Sequence, residues 1–211
     1  QNPDYRLFEA FNGVEATELA EKEDIHLILM DIMMPQMDGI TAMAKIRESF
    51  NMPIILLTAK SEDQDKILGL NIGADDYITK PFNPLEVAAR VGSQLRRYTK
   101  LGSGTAAKEL LTVGGIELDD PTKTVTVDGT AVSLTPTEFD ILKLLMEYPG
   151  KVFSPKEIYS KVWGESALSA GENTVAVHIR HLREKVEITP NEPRYIKVIF
   201  GQGYKIEKGR N

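Results

Sequence analysis

The stretch that decides the fold of the first half of the chain is His26-Leu-Ile-Leu-Met-Asp31-Ile-Met-Met-Pro-Gln-Met-Asp-Gly39. The apolar run at 27–30 is typical of a strand that is buried on both faces. Pro35 and Gly39 predict a loop that leads into a helix. Asp31 is therefore expected at the carboxyl end of a parallel strand, where open α/β sheets place their functional groups. Taken alone, the aspartate could equally be a loop cap.

Two later runs end on polar side chains in the same way. Pro53-Ile-Ile-Leu-Leu-Thr58-Ala-Lys60 ends on a hydroxyl, and Asp75-Asp-Tyr77-Ile-Thr-Lys80-Pro81-Phe82 ends on a lysine. If these strands are parallel neighbours, Asp31, Thr58 and Lys80 meet at one edge of the sheet. A carboxylate nucleophile, a hydroxyl donor and a fixed cation together suit phosphoryl transfer to the carboxylate.

Strand and helix patterns alternate along this half of the chain, which predicts a doubly wound parallel sheet of the α/β class. The predicted strands are residues 5–10, the Asp31 run, the Thr58 run and the Tyr77 run. The predicted helices are residues 13–23, 40–50, 61–73 and 85–98.

Composition excludes several classes of protein. The 211 residues include no cysteine, which rules out disulfides, thiolate catalysis and cysteine-ligated metals. No apolar run approaches the roughly 18 residues of a membrane span, so we expect no membrane insertion and a cytoplasmic location. The net charge of −6 means that any nucleic-acid binding must come from a local patch.

The second half of the chain has a different pattern, which predicts an α+β winged helix-turn-helix domain. Short β-branched runs at 113–118, 124–127 and 131–134 come first. Helix start signals follow at Thr135-Pro-Thr-Glu138 and Ser154-Pro-Lys-Glu157, each with proline in the first turn. A third helix begins at 173–174, and two β runs at 195–200 and 204–207 form a terminal hairpin.

The third helix predicts a core face and a DNA-binding face. Val175, Ile179, Leu182 and Val186 recur at the spacing of one buried stripe. Side chains off this stripe could reach phosphates or base edges, although a solvated helix face is the common alternative for a charge-rich helix. The predicted DNA contacts are Thr174, Val177, His178, Arg180, His181 and Arg183, with Lys197 and Tyr204 in the hairpin.

These motifs resemble a known family. D-I-M-M-P-Q-M-D-G, L-L-T-A-K and G-A-D-D-Y-I-T-K-P-F resemble the receiver domain of two-component response regulators, which has a flavodoxin-like fold. L-T-P-T-E-F, T-V-A-V-H-I-R-H-L-R-E-K and G-Q-G-Y-K are similar to the effector domain of the OmpR/PhoB type. The resemblance implies a receiver at 1–98, a flexible linker at 99–111 and a winged helix-turn-helix domain at 112–211.

The resemblance also implies a function. Asp31 would accept a phosphoryl group from a cognate sensor histidine kinase, and Thr58, Lys80 and Tyr77 would sense it. The receiver would then form a homodimer, and the effector domain would bind promoter double-stranded DNA and work with RNA polymerase. The implied protein is a transcriptional regulator and not an enzyme. The residues that match the family's dimer face are Lys66, Asp75, Asp76, Glu86, Arg90 and Arg97.

One part of the family pattern is not found. Receivers begin with a strand that ends in an acidic pair, followed by a helix, whereas this chain resembles the family only from the second strand onward. The acidic pair normally shares Mg²⁺ with the phosphorylated aspartate, so here the metal ligands would be Asp31 and the backbone carbonyl of Met33. We expect a native gene product that is longer by one strand and one helix.

Two alternatives remain open. A DNA-binding regulator that acts independently of phosphorylation would not need the acidic pair. An aspartyl-phosphate phosphohydrolase would need a second acid two residues after the nucleophile, and Met33 stands there. The phosphohydrolase is therefore the more remote alternative.

Overall fold

The computed structural model describes residues 5–59, 73–99, 110–164 and 171–207. The chain divides into two compact units, residues 1–82 and 83–211. This division differs from the predicted boundary after residue 98, because helix 84–99 is grouped with the second unit. The helix predicted at 61–73 and the linker predicted at 99–111 lie largely outside the described residues.

The first unit contains a parallel sheet, which confirms the predicted fold class. Its strands lie side by side in the order β1-β2-β3. The central strand is the most deeply buried, with Ile54, Ile55 and Leu56 no more than 1% exposed, as expected for a strand covered on both faces. The elements are α1 (Gly13–Lys22), β1 (Ile28–Asp31), α2 (Gly39–Arg47), β2 (Ile54–Ala59) and β3 (Asp76–Lys80).

The fourth strand predicted in this unit does not form. Residues 5–10 have no regular secondary structure. A strand needs hydrogen bonds to a neighbouring strand, and among the described residues no strand pairs with residues 5–10 or with the outer edge of β1. Leu29 of β1 is accordingly 42% exposed. The prediction of a strand at 5–10 was therefore wrong for this structure.

In the described part of the second unit, a long helix is followed by two antiparallel sheets and three helices. The larger sheet has the order β4-β5-β6-β7, and β8 pairs with β9 in a hairpin that we call the wing. The elements are α3 (Pro84–Thr99), β4 (Leu110–Val113), β5 (Ile116–Asp119), β6 (Thr124–Val127), β7 (Thr130–Val132), α4 (Pro136–Glu147), α5 (Pro155–Trp163), α6 (Gly171–Val186), β8 (Ile196–Ile199) and β9 (Gly203–Ile206).

The run predicted as one strand at 113–118 is divided by a turn at Gly114 and Gly115. Gly114 has a φ of 62°, a left-handed conformation that favours glycine. A Cβ atom at Gly115 would lie 1.9 Å from a carboxylate oxygen of Asp128. The left-handed backbone at Gly114 favours glycine, a side chain at Gly115 would displace that of Asp128, and β4 and β5 become the two arms of a hairpin.

The predicted starts of α4 and α5 are confirmed. Thr135 and Glu138 form a reciprocal capping box at α4, and Ser154 and Glu157 form another at α5. In each box the hydroxyl accepts from a main-chain amide of the first turn, while the glutamate accepts from the cap residue's own amide. The apolar faces of α4, α5 and α6 enclose one core, which establishes the winged helix-turn-helix. No helix among the described residues is long and apolar enough to cross a membrane.

Candidate functional site

The carboxyl ends of the three parallel strands bring the predicted receiver residues to one edge. Asp31 is in register with Leu57 on β2. The next positions pair Thr58 with Thr79 and Ala59 with Lys80. Asp31, Thr58 and Lys80 are thus the last or next-to-last residues of adjacent strands, as their spacing predicts.

Asp31 and Lys80 form an ion pair at this edge. The Lys80 ammonium donates a hydrogen bond to Oδ2 of Asp31, while the amide of Met33 donates to Oδ1 at 3.1 Å. The side chains of Asp31 and Lys80 are 33% and 41% exposed. The carboxylate is therefore held in place by a cation and an amide, and it remains accessible from solvent.

Thr58 and Tyr77 lie on the strands that flank this pair. Thr58 is 2% exposed, and its hydroxyl donates to the main-chain carbonyl of Ala59 at 3.3 Å. Tyr77 is half-buried and pairs in register with Leu56. In this structure the Thr58 hydroxyl is engaged by its own strand.

The loop after Asp31 is closed by a glycine and an aspartate. A Cβ atom at Gly39 would lie 2.1 Å from the main-chain oxygen of Asp31, so this position admits only glycine. Asp38 caps α2 by accepting from the amide and the hydroxyl of Thr41, both at 2.8 Å. These two hydrogen bonds lower the pKa of the Asp38 carboxyl, so the cap stays ionised at neutral pH and fixes the loop beneath Asp31.

The structure corrects the predicted dimer face at Asp75. Its side chain is fully buried, and its Oδ2 accepts from the Arg47 guanidinium at 2.7 Å and from the Ile54 amide at 3.0 Å. A carboxylate held in this way stabilises the first unit from inside and cannot reach a second chain without losing both partners. Lys66 and the side chain of Arg97 lie outside the described residues.

Two other predicted dimer-face residues, Asp76 and Arg90, are also buried, whereas Glu86 is exposed. Asp76 is 2% exposed, and its Oδ1 accepts from the amide of Tyr77. Arg90 is 8% exposed. Its Nη2 donates to Glu86 at 2.9 Å, and its Nη1 donates to the Tyr159 hydroxyl at 3.1 Å.

The core stripe predicted for α6 is confirmed, since its four members are no more than 2% exposed. Three predicted DNA contacts on the same helix, however, are buried as well. Thr174, His178 and His181 are 0%, 2% and 8% exposed. The reason is that α6 packs against both α4 and α5, so its buried face is wider than a single stripe. These three residues are corrected from groove contacts to core residues.

Two predicted DNA contacts of α6 do face outward or partly outward. Arg180 is exposed, and its Nε donates to Glu184 at 2.8 Å. Val177 is half-buried. Val177 and Arg180 therefore form a narrow accessible surface of α6, and the Arg180 guanidinium on it is paired with Glu184.

Arg183 instead binds the base of the wing. Its Nε and Nη2 donate to the main-chain carbonyl of Ile196 at 3.1 and 2.8 Å. Burial lowers the pKa of its guanidinium, which nevertheless stays charged. In this structure Arg183 supports the base of the wing, and its role as a DNA contact stays a prediction.

In the wing, Lys197 donates to the carbonyl of Pro193, and Tyr204 is half-buried against the core. Two exposed wing residues are apolar, with Val198 44% and Phe200 93% exposed. The wing therefore presents apolar side chains at its surface, while the Lys197 ammonium is bound to a main-chain carbonyl.

Two family models match the chain. Residues 1–92 match the response regulator receiver domain, and residues 129–206 match the C-terminal domain of transcriptional regulatory proteins. The regulatory protein VanR of Enterococcus faecium is 46% identical over 209 residues, which are 99% of this chain and 90% of VanR. The chain belongs to the OmpR/PhoB-type response regulators. The transcriptional regulatory protein ResD of Bacillus subtilis is 38% identical over 99% of this chain and 88% of its own. A solved structure of a RitR mutant matches with a TM-score of 0.70 and 25% identity, over 95% of this chain and 86% of that chain.

The protein is thus a two-component response regulator with a DNA-binding transcription regulator domain. The resemblance inferred from its motifs is confirmed. The relatives named above are regulatory proteins.

Receiver domains typically bind Mg²⁺, but the residues described here do not fit such a site. They contain no group of three or more histidine, cysteine, aspartate or glutamate side chains placed to hold a metal. Asp31 offers a single carboxylate, and one of its oxygens already binds the ammonium of Lys80. Mg²⁺ requires six oxygen ligands in near-octahedral geometry. The predicted ligands Asp31 and Met33 do not make up that set on their own.

Three structural contacts of this response regulator were not predicted from the sequence. Glu187 accepts hydrogen bonds from the amides of Arg194, Tyr195 and Ile196. The other two are the bond from Arg90 to Tyr159 and the bonds from Arg183 to the wing. All three join residues separated by a loop or by a whole element, so helical or strand periodicity carries no signal for them.

Proposed function

We propose that this response regulator is controlled by phosphorylation of Asp31 and binds promoter DNA as a homodimer. The observation that carries the proposal is the accessible Asp31 carboxylate, held beside Lys80 at the carboxyl end of a parallel sheet. A carboxylate oxygen would attack the phosphorus of a phosphohistidine on the sensor kinase. A new P–O bond would form as the P–N bond breaks, and the histidine would leave with the electron pair.

The charges at the carboxyl edge of the parallel sheet favour a phosphorylated Asp31. A phosphoryl group adds about −1.5 to −2 charges at neutral pH, and Lys80 is already in contact with the acceptor oxygen. The Thr58 hydroxyl would exchange its bond to the Ala59 carbonyl for one to a phosphoryl oxygen, which is a stronger, charge-assisted acceptor. Tyr77 would then move inward on β3 and change the surface beside it.

For DNA binding we propose that α6 enters the major groove with Val177 and Arg180 outermost. A valine methyl suits the methyl group of thymine, and an arginine suits a phosphate or a guanine edge. A dimer would place two such helices about one helical turn, roughly 10–10.5 bp, apart. Cytoplasmic location and action together with RNA polymerase follow as parts of the same proposal.

The second candidate is a DNA-binding regulator that acts without phosphorylation. The observation that favours it is the incomplete Mg²⁺ ligand set among the described residues. Treatment of the full chain with a small phosphodonor, with Mg²⁺ and with a chelator, separates the two. Incorporation only with Mg²⁺ supports the first candidate, and dimerisation and promoter binding that never respond to the phosphodonor support the second.

Lys80→Ala is expected to uncouple phosphorylation from dimerisation. Without the ammonium, the negative charge of the phosphoryl group has no fixed partner on β3. The receiver then gains little free energy when it rearranges around the phosphoryl group. The phosphodonor-dependent gain in dimer affinity should fall at least about tenfold, or about 1.4 kcal/mol. Sedimentation velocity with and without phosphodonor measures it. Lys45→Ala, which removes a lysine from α2, is the matched control, and an undiminished gain in Lys80→Ala would contradict the prediction.

Arg180→Ala is expected to weaken DNA binding to a similar extent on all sequences and to reduce the salt dependence of binding by about one ion. This outcome follows if its guanidinium leaves Glu184 for a phosphate when DNA binds. Gel-shift titrations at several salt concentrations give both quantities.

Glu184→Gln is the companion variant for this test, because it removes the charge that pairs with Arg180 and keeps the length of the neighbouring side chain. Its DNA affinity should equal or exceed that of the wild type. Unchanged affinity and salt slope in Arg180→Ala would remove this surface of α6 from the DNA interface.

A further inference from the structure

The loop that follows Asp31 contains a strained turn. Gln36 has a φ of 64°, a left-handed conformation that is costly for a residue with a side chain. The amide of Met37 donates to the carbonyl of Pro35, two residues earlier, at 2.7 Å. This hydrogen bond and this φ are typical of the rare γ-turn, which persists only where surrounding contacts hold it.

The turn is held from outside the loop by the first residue of α1, Gly13. The first amides of a helix have no partner within it, and the Gly13 amide instead donates to the Met37 carbonyl at 3.0 Å. Asn12 keeps this end of α1 in place, because its side chain is 5% exposed and accepts from the Glu15 amide at 3.0 Å. The peptide group that carries the Met37 carbonyl is therefore tied to α1.

The close approach of α1 to the loop depends on the absence of a side chain at Gly13. A Cβ atom there would lie 2.7 Å from the Met37 carbonyl oxygen and 2.9 Å from the Cβ atom of Ala42 on α2. Both distances are shorter than van der Waals contact, and Ala42 is fully buried. An alanine at position 13 would therefore push the loop away from α1.

The same loop also touches the acceptor carboxylate. The Gly39 amide donates to the Ile32 carbonyl at 3.0 Å and closes the loop at its base. Just inside this closure, the Met33 amide donates to Oδ1 of Asp31 at 3.1 Å. A displacement of the turn is therefore transmitted through a short closed loop to one of the two carboxylate oxygens.

We propose that Gly13 is a positioning residue for phosphoryl acceptance. Its amide fixes the turn at Met37, and the closed loop then keeps the Met33 amide on the Asp31 carboxylate. A nucleophile that is held in one orientation reacts faster than one that must be oriented at the moment of attack. This inference rests on the proposed phosphorylation of Asp31, and it adds α1 to the elements that prepare the acceptor.

Gly13→Ala tests this link through the Met33 amide. Labelling methionine with ¹⁵N gives the full chain one backbone amide signal for each of its seven methionines, and Met33→Leu identifies the Met33 signal by its loss. In Gly13→Ala the Met33 amide should exchange with solvent about tenfold faster, equivalent to about 1.4 kcal/mol. The reason is that the displaced loop no longer holds this amide on Asp31.

Val14→Ala is the matched control, because it also places an alanine in the first turn of α1 and Val14 is 38% exposed. Its Met33 amide should exchange at the wild-type rate. Met52 is buried in the same unit and lies outside the loop, so an unchanged Met52 signal verifies that each variant is folded.

Asn12→Ala is a second variant, which removes the cap of α1 and adds no atom at the contact with Met37. It should accelerate the exchange of the Met33 amide in the same direction as Gly13→Ala. A wild-type exchange rate of this amide in both variants would overturn the proposal.

Phosphoryl acceptance is measured separately, as the initial rate of mass increase with a small phosphodonor. This rate should fall about tenfold in Gly13→Ala, as expected when a reacting group is misplaced, and it should stay at the wild-type value in Val14→Ala. Equal rates in the two variants would also overturn the proposal. A wild-type chain that gains no phosphoryl group would instead contradict the proposed function, and the exchange rates would still show whether Gly13 holds the Met33 amide on Asp31.

Discussion

Asp31→Asn is expected to abolish phosphoryl acceptance by the full chain. An amide oxygen is a poor nucleophile towards phosphorus, whereas the carboxylate of Asp31 is fixed and accessible. The substitution preserves the shape of the side chain and an oxygen that can accept from the Met33 amide. The variant should therefore lose phosphoryl acceptance through lost reactivity, while the loop and the sheet keep their structure.

The measurement is intact mass after treatment with a small phosphodonor. Asp38→Asn is the matched control, because asparagine caps a helix about as well as aspartate, so α2 and the loop should persist. The control should still gain one phosphoryl group. A full mass increase in Asp31→Asn would place the acceptor on another residue.

Glu187→Ala is expected to cost the second unit more than about 3 kcal/mol of unfolding free energy. Glu187 is 7% exposed and accepts from the amides of Tyr195 at 2.9 Å and Ile196 at 2.8 Å, besides that of Arg194. Alanine would leave these buried or half-buried amides unpaired, at about 1–3 kcal/mol each. The wing would then lose its attachment at the start of β8.

Chemical denaturation followed by Trp163 fluorescence reports on this unit, because the tryptophan is buried in its core. Glu184→Ala is the control: Glu184 lies three residues earlier, in the last turn of α6, and its carboxylate pairs with exposed Arg180. Exposed pairs contribute at most about 1 kcal/mol. If both variants unfold at the same denaturant concentration, the amide contacts of Glu187 add nothing to stability.

Local patterns in the sequence predicted the features that depend on neighbouring residues. Spacings within one element predicted the polar ends of β1, β2 and β3. Spacings of the same kind predicted the two capping boxes and the core stripe of α6. Gly39 was predicted to close the Asp31 loop, and its contact with the main chain shows why.

The errors arose where packing between elements decides the outcome. Residues 5–10 have a strand-like pattern, but a strand forms only with a partner. His178 and His181 lie off the stripe of α6 and looked free, yet a second packed helix covers them. Asp75 resembled a surface acid until Arg47, 28 positions earlier in the chain, proved to be its partner.

In the wing, the residues that attach the hairpin to the rest of the second unit are different from the residues at its exposed tip. Arg183 in the last turn of α6 and Glu187, the residue that follows the helix, hold the carbonyl and the amides at the base of the hairpin. The tip contributes almost nothing to that attachment, and Phe200 stands 93% exposed. Its residues can therefore be exchanged at little cost to folding, because the contacts at the end of α6 hold the hairpin whatever side chains the tip carries.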